Sequence, residues 1–273
     1  MNPDGRTRLY AVLGRPIAHS LSPALHNAAF RAEGRNAVYL ACDVGEDDLA
    51  DALNGLRALG AAGVNLTAPL KERALAAGLR LTDEARAAGA VNTVRFGDEP
   101  LGHNTDGEGL ARFLERHGVV LAGARVVFLG AGGAVRGIAP VFLRRGVESI
   151  AAVVRGPRPA IAGVEFAHEA HATRAALEAA SLVLQATPLG GAEGDPLPAP
   201  AEWVPQSATA VDLRYHPAAT PWLLAVRARG VRAANGLGML IEQALLAQEF
   251  WHQTTPPRTA LEEAVEWSDP FQA

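Results

Sequence analysis

The run Arg125-Val126-Val127-Phe128-Leu129-Gly130-Ala131-Gly132-Gly133-Ala134-Val135 decides the fold of this chain. Its first part is apolar and β-branched, which reads as a buried strand, and glycines interrupt it at once. A helix follows through Val135 to Arg145 and stops at Gly146. Strand, glycine turn and helix in that order form the context a dinucleotide loop needs. The first glycine makes the tight turn, the second lets backbone approach a pyrophosphate, and the helix N-terminus faces the negative charge. Gly130 and Gly132 stand at those two positions, while the third position is Val135 rather than Gly or Ala.

Downstream, strands are expected at Ser149 to Val154, Ser181 to Gln185 and Ala208 to Leu213, with helical stretches between. Such alternation predicts an α/β fold with a parallel, doubly wound sheet. Gly190 to Gln206 is rich in Gly and Pro and reads as an irregular loop. The second strand of the unit points to the cofactor. An NAD site places an acid about 20 residues beyond the loop, on the ribose hydroxyls. Here the sequence is Val153-Val154-Arg155-Gly156-Pro157-Arg158, without an acid. Arg155 and Arg158 instead suit a 2′-phosphate through charge and forked hydrogen bonding, so NADP is expected.

Upstream of the glycine loop, polar residues gather at element ends. In Gly14-Arg15-Pro16-Ile17-Ala18-His19-Ser20-Leu21-Ser22-Pro23, Ser22 reads as a helix cap and Pro23 as the first helical residue. Leu25, Ala28, Ala29 and Ala32 continue at helical spacing to a stop at Gly34. Ser20 and Ser22 thus lie where a helix opens its unpaired N–H groups, a place that favours a carboxylate. In Gly63-Val64-Asn65-Leu66-Thr67-Ala68-Pro69-Leu70-Lys71, a strand ends at Pro69 and a helix begins. Asn65 and Thr67 share one strand face, and Lys71 can be aimed into a cleft from the bend. Ala88 to Val94 leads into a strand and then a hairpin turn at Gly97-Asp98. Gly102-His103-Asn104-Thr105-Asp106-Gly107-Glu108 leads into a further helix.

Composition sets the outer limits. The chain has 273 residues, 49% of them hydrophobic, enough for one large domain or two modest ones. A net charge of −4 with no basic run argues against nucleic acid. No apolar run approaches the length of a membrane span, and the N-terminus lacks a hydrophobic signal region. Cys42 is the only cysteine, so a cytoplasmic protein without an intrachain disulfide is expected. His168 and His171 have the spacing of one helix face but no further ligands nearby, so no metal is expected.

Taken together, Gly14 to Asn27, Gly63 to Lys71, Gly89 to Thr93, Asn104 to Asp106, Gly130 to Ala134, Val211 to Pro217 and Gly236 to Gln243 resemble the shikimate dehydrogenase family over nearly the whole chain. The resemblance implies an N-terminal α/β substrate domain over 1–105 and a Rossmann-like NADP-binding domain over 106–236. Final helices over 237–273 would return to the first domain. It implies an oxidoreductase that interconverts 3-dehydroshikimate and shikimate, as a monomer or homodimer. Lys71 and Asp106 would form the catalytic pair. Ser20 and Ser22 would hold the carboxylate. Asn65, Thr67, Asn92, Tyr215 and Gln243 would complete the substrate set. Gly130, Ala131, Gly132, Gly133, Ala134, Arg155, Arg158, Thr187, Leu213 and Gly236 would meet NADP, with Gly236 near the nicotinamide. The chain departs from the family pattern at Val154-Arg155-Gly156, where Asn-Arg-Thr is common. It also departs at Gln185-Ala186-Thr187, where many members read Asn-Ala-Thr, at Gly190-Gly191 and at Asn235. The alternatives are a dehydrogenase of quinate or a similar acid with relaxed or NAD cofactor use, and a non-catalytic NADP-binding sensor.

Overall fold

The computed structural model describes residues 3–190 and 194–271; Gly191, which the sequence marked as a departure, lies outside the described residues. The chain begins with β1 (Arg8–Gly14), α1 (Ser22–Ala32), β2 (Ala37–Asp43), α2 (Leu49–Ala58), β3 (Gly63–Leu66) and α3 (Leu70–Arg73). Next come β4 (Arg80–Leu81), α4 (Asp83–Ala88), β5 (Thr93–Arg95), β6 (Leu101–His103) and α5 (Asp106–Arg116). The middle part holds β7 (Arg125–Leu129), α6 (Gly133–Arg144), β8 (Ser149–Val153), β9 (Glu165–Ala167), α7 (Ala170–Glu178) and β10 (Leu182–Gln185). The last elements are β11 (Thr209–Asp212), α8 (Pro221–Arg227), β12 (Arg232–Asn235), α9 (Leu237–His252) and α10 (Arg258–Ala264).

These elements form two compact units. One comprises Met1–Gly109 with Leu240–Trp267, the other Leu110–Met239 with Ser268–Ala273. The sheet of the first unit has the order β2-β1-β3-β5-β6-β4. Parallel pairing joins β1 to β2 and β3, and the β5 strand runs antiparallel to both β3 and β6. Leu13, Val64, Leu66, Leu70 and Val94 fill one side of it. Tyr10, Phe30, Tyr39 and Trp251 fill the other. Gly63 is required there: a Cβ would lie 2.5 Å from Nε1 of Trp251, which donates to the Val94 carbonyl at 3.0 Å.

The second unit carries a wholly parallel sheet of order β12-β11-β10-β7-β8-β9. From β7 the chain steps outward through β8 and β9. It then returns to the other side of β7 and steps outward through β10, β11 and β12. This is the doubly wound arrangement, with its switch point between β7 and β10.

Several expectations need correction. Ser22 does not cap α1; it is the first helical residue, preceded by Leu21, and Ser20 Oγ accepts its backbone N–H at 3.3 Å. Proline therefore stands one position deeper than predicted. The helix begun by Lys71 is a single turn that tightens into a 3-10 turn at Ala74–Ala76. His168 precedes α7, which contains His171, so the two do not share a helix. Strands β9 and β12 were not anticipated. One is three residues long and the other is Arg-Ala-Ala-Asn, and neither carries a β-branched signal.

Candidate active site

In the first unit, Asn65, Thr105, Asp106 and Gln243 converge on Asn92, whereas Ser20, Ser22 and Thr67 make no hydrogen bond to it. It sits in the bend before β5, 2% exposed, and its amide hydrogen bonds cross three segments. Nδ2 donates to Asp106 Oδ1 at 2.8 Å, to Thr105 Oγ1 at 2.9 Å and, more distantly, to Gln243 Oε1 at 3.4 Å. Oδ1 accepts from Thr93 Oγ1 and from the Thr105 backbone amide, both at 2.9 Å.

Asp106 opens α5, where its own N–H is satisfied by Asn104 Oδ1 at 3.0 Å. A carboxylate in a first helical turn is electrostatically favoured. One oxygen is held by Asn92, and the other faces Lys71 Nζ at 2.7 Å. Asp106 is 1% exposed and Lys71 19%, so the carboxylate is enclosed while the ammonium still reaches solvent. The backbone around the lysine is also fixed, because the Lys71 carbonyl accepts the Val91 amide at 2.8 Å. The result is an oriented ammonium on a buried carboxylate, an arrangement able to give and take a proton at a substrate oxygen.

Asn65 points from β3 into the same network. Its Nδ2 donates to the Asn92 carbonyl at 3.1 Å and to Thr93 Oγ1 at 3.0 Å; its Oδ1 accepts from the Tyr39 hydroxyl at 2.7 Å. Burial raises the pKa of the Tyr39 phenol well above its usual value. Tyr39, Asn65 and Asn92 thus join Asp106 and Lys71 in one connected set of hydrogen bonds, which Ser20 and Ser22 do not enter. Thr67 is positioned by its backbone, which donates to the Leu13 carbonyl at 2.9 Å, and its methyl lies against Gly14. Sequence reading did not single out Tyr39 or Thr93. A tyrosine on a strand reads as core, and its hydroxyl partner is visible only once β2 and β3 are brought together.

In the second unit, Gly130 follows β7 with φ +101°, a conformation open to glycine, and its amide is held by the Val153 carbonyl at 2.9 Å. A Cβ there would lie 2.7 Å from Thr187 Cγ2. Gly132 precedes α6 and has open space where a Cβ would go. The free amides of Gly133, Ala134 and Val135 open the helix there. Val135 is fully buried, filling the helix–sheet contact where the usual fingerprint has a small residue. This cradle fits a pyrophosphate. Arg155 and Arg158 are exposed just past β8 and fit a further phosphate. Leu213 and Gly236 meet at the ends of β11 and β12, where a Cβ on Gly236 would collide with the Leu213 carbonyl. Tyr215 lies in this unit as well, two residues beyond Leu213. Among the described residues, no group of three or more His, Cys, Asp or Glu side chains is placed to hold a metal ion, and no helix is long and apolar enough to cross a membrane.

Comparison with known proteins gives a consistent picture. Residues 12–94 match the family described as shikimate dehydrogenase substrate binding domain, and residues 236–266 match the shikimate 5′-dehydrogenase C-terminal domain. The shikimate dehydrogenase (NADP(+)) of Moorella thermoacetica is 40% identical over 95% of this chain and 92% of its own length. Shikimate dehydrogenase of Aquifex aeolicus superposes with a TM-score of 0.89 at 29% identity, covering 97% of this chain and 99% of the other. Shikimate 5-dehydrogenase of Thermus thermophilus, solved in complex with NADP(H) and shikimate, superposes with a TM-score of 0.85 at 36% identity, covering 95% and 99%.

Proposed function

The chain belongs to the shikimate dehydrogenase family, and on that premise we propose that it interconverts 3-dehydroshikimate and shikimate with NADP. The observation that carries this reading is the Lys71–Asp106 contact at 2.7 Å, with the carboxylate buried and held on its other side by Asn92. When bound, NADP(H) supplies the hydride chemistry of the ketone–alcohol conversion. Lys71 Nζ gives a proton to the ketone oxygen as it becomes an alcohol, and takes it back in the reverse direction. Asp106 keeps Nζ aimed, because Asn92 stops the carboxylate from turning.

Ser20 and Ser22, at the open N-terminus of α1, take the substrate carboxylate. Asn65, Thr67, Asn92 and Gln243 take ring hydroxyls, and Tyr215 is a further substrate contact. Gly130 to Ala134 take the pyrophosphate, Arg155 and Arg158 the 2′-phosphate, and Thr187, Leu213 and Gly236 the remainder of the cofactor. All these residues come from one chain, so the reading needs no partner subunit and suits a monomer or a homodimer. A cytoplasmic setting suits a chain that needs no disulfide.

The test is a panel of shikimate and quinate against NADP and NAD, run on the wild-type protein and on Lys71→Ala. Shikimate with NADP should give the highest kcat/KM, and the variant should lose about 100-fold or more in kcat while remaining folded at the assay temperature, as circular dichroism reports. A folded wild-type protein that turns over neither acid would be the sensor instead. Equal use of NAD would remove the role given to the arginines.

A further inference from the structure

Three neighbouring strands of the second sheet end in one hydrogen-bonded knot. At the end of β10, Gln185 is almost fully buried. Its Oε1 accepts from the amide and the hydroxyl of Thr187, each at 3.0 Å, and its Nε2 donates to the Leu189 carbonyl at 2.7 Å. Just past β11, Arg214 reaches the same loop. Its Nη1 donates to the Pro188 carbonyl at 2.8 Å and its Nη2 to the Leu189 carbonyl at 2.7 Å. Asp212, fully buried, balances this charge: its Oδ2 lies 3.3 Å from Nη2 and accepts the Thr220 hydroxyl at 2.8 Å. From beyond β12, the Gly236 amide donates to the Arg214 carbonyl at 2.8 Å, and the Leu213 amide donates to the Gln185 carbonyl at 2.9 Å. Thr187, Leu213 and Gly236 are therefore held by one network.

Sheet topology says what this network faces. A dinucleotide crosses the carboxyl ends of the strands at the switch point, one half over each flank. The switch point lies between β7 and β10, at Gly130 and Thr187. Arg155 and Arg158 follow β8 and draw the phosphorylated adenosine half to that flank. The other half is left to the ends of β10, β11 and β12, where the knot sits. A planar guanidinium with a rigid fork suits the clamping of two successive carbonyls, and a flexible ammonium does not replace it.

We propose that Arg214, acting with Gln185, is a positioning residue for the nicotinamide half of the cofactor, fixing the Thr187–Leu189 backbone against Gly130 and the Leu213–Gly236 contact. This rests on the NADP reading of the second unit. The test compares wild-type protein, Arg214→Met, Arg214→Lys and the double variant Arg155→Ala/Arg158→Ala. Dissociation constants are measured for NADP and for 2′,5′-ADP, which carries only the adenosine end, alongside KM for shikimate. Arg214→Met should weaken NADP roughly tenfold by adding a loop-ordering cost, and leave 2′,5′-ADP and the shikimate KM within about twofold. Arg214→Lys should fall between wild type and Met, since it keeps the charge beside Asp212 and loses the fork. The double variant should weaken both nucleotides. Equal weakening of NADP and 2′,5′-ADP by Arg214→Met would show a general loosening of the unit and overturn the proposal. So would wild-type affinity for NADP in that variant. A wild-type protein that binds neither nucleotide would overturn the NADP reading itself, a result distinct from either of these.

Discussion

Asn92 shows how much one side chain does in this site. An amide has a donor end and an acceptor end, and both are used here: the donor end on Asp106 and Thr105, the acceptor end on Thr93 and the Thr105 backbone. At the residue scale, the anchor serines give the clearest test. Ser20 and Ser22 are read as hydrogen-bond donors to a substrate carboxylate remote from the reacting carbon. Ser20→Ala and Ser22→Ala should therefore raise the KM for shikimate more than they lower kcat, each by on the order of 1.5–3 kcal/mol in binding. Steady-state kinetics decide it, and an unchanged KM in both variants would move the carboxylate elsewhere. Asn65, Lys71, Asn92 and Asp106 stood out in the sequence because polar residues recur there at element ends, and the fold brings these four into one hydrogen-bonded group. Tyr39 was not legible, since nothing local distinguishes a tyrosine that orients Asn65 from one that only fills space.

At the scale of elements, glycines decide how closely backbones approach. Gly109 on α5 faces α9, and a Cβ there would lie 3.0 Å from the Gln243 backbone nitrogen and 3.1 Å from its Cβ. In a sequence, a glycine inside a helix reads only as a weak helix former; its use here appears when α9 is seen to bring Gln243 toward Asn92. Gly109→Ala should push α9 outward, lower stability by about 1–3 kcal/mol through overpacking, and raise the KM for shikimate. Urea unfolding together with kinetics checks this, and a variant with wild-type stability and KM would mean that the helices separate freely. The central strands were legible for the converse reason. Val126 to Leu129 is buried on both faces and reads as one continuous apolar run, whereas β12 is short and alanine-rich and gains its strand form from β11.

On the scale of the whole molecule, two histidines among aromatic rings in the first unit, His26 buried and His252 half-buried, lower stability in acid. His26 on α1 stacks on Tyr39 at 4.3 Å, and its Nδ1 lies 2.8 Å from Gln248 Nε2 on α9. Burial, with a lesser push from nearby His252, lowers its pKa to about 3. His252, at the end of α9, meets Tyr10 and Phe30 edge-on. Burial lowers its pKa to about 4, with Arg35 and Arg8 adding to the shift and Glu33 opposing it. Both rings are neutral in the folded protein near neutral pH, whereas in the unfolded chain each takes a proton near the ordinary value of about 6.5. Below that pH the unfolded state binds more protons, so stability falls with pH, and the loss continues down to the folded pKa values. By pH 4.5 the loss at His26 alone is on the order of 2 kcal/mol, or roughly 5 °C in Tm. His26→Leu should start from a lower Tm, because the Gln248 amide loses its partner, yet decline less steeply between pH 7 and 4.5. Carboxylates titrate alike in the two proteins, so the difference between the two Tm curves isolates the histidine. Parallel curves would show that the buried imidazole accepts its proton as readily in the fold as in the unfolded chain.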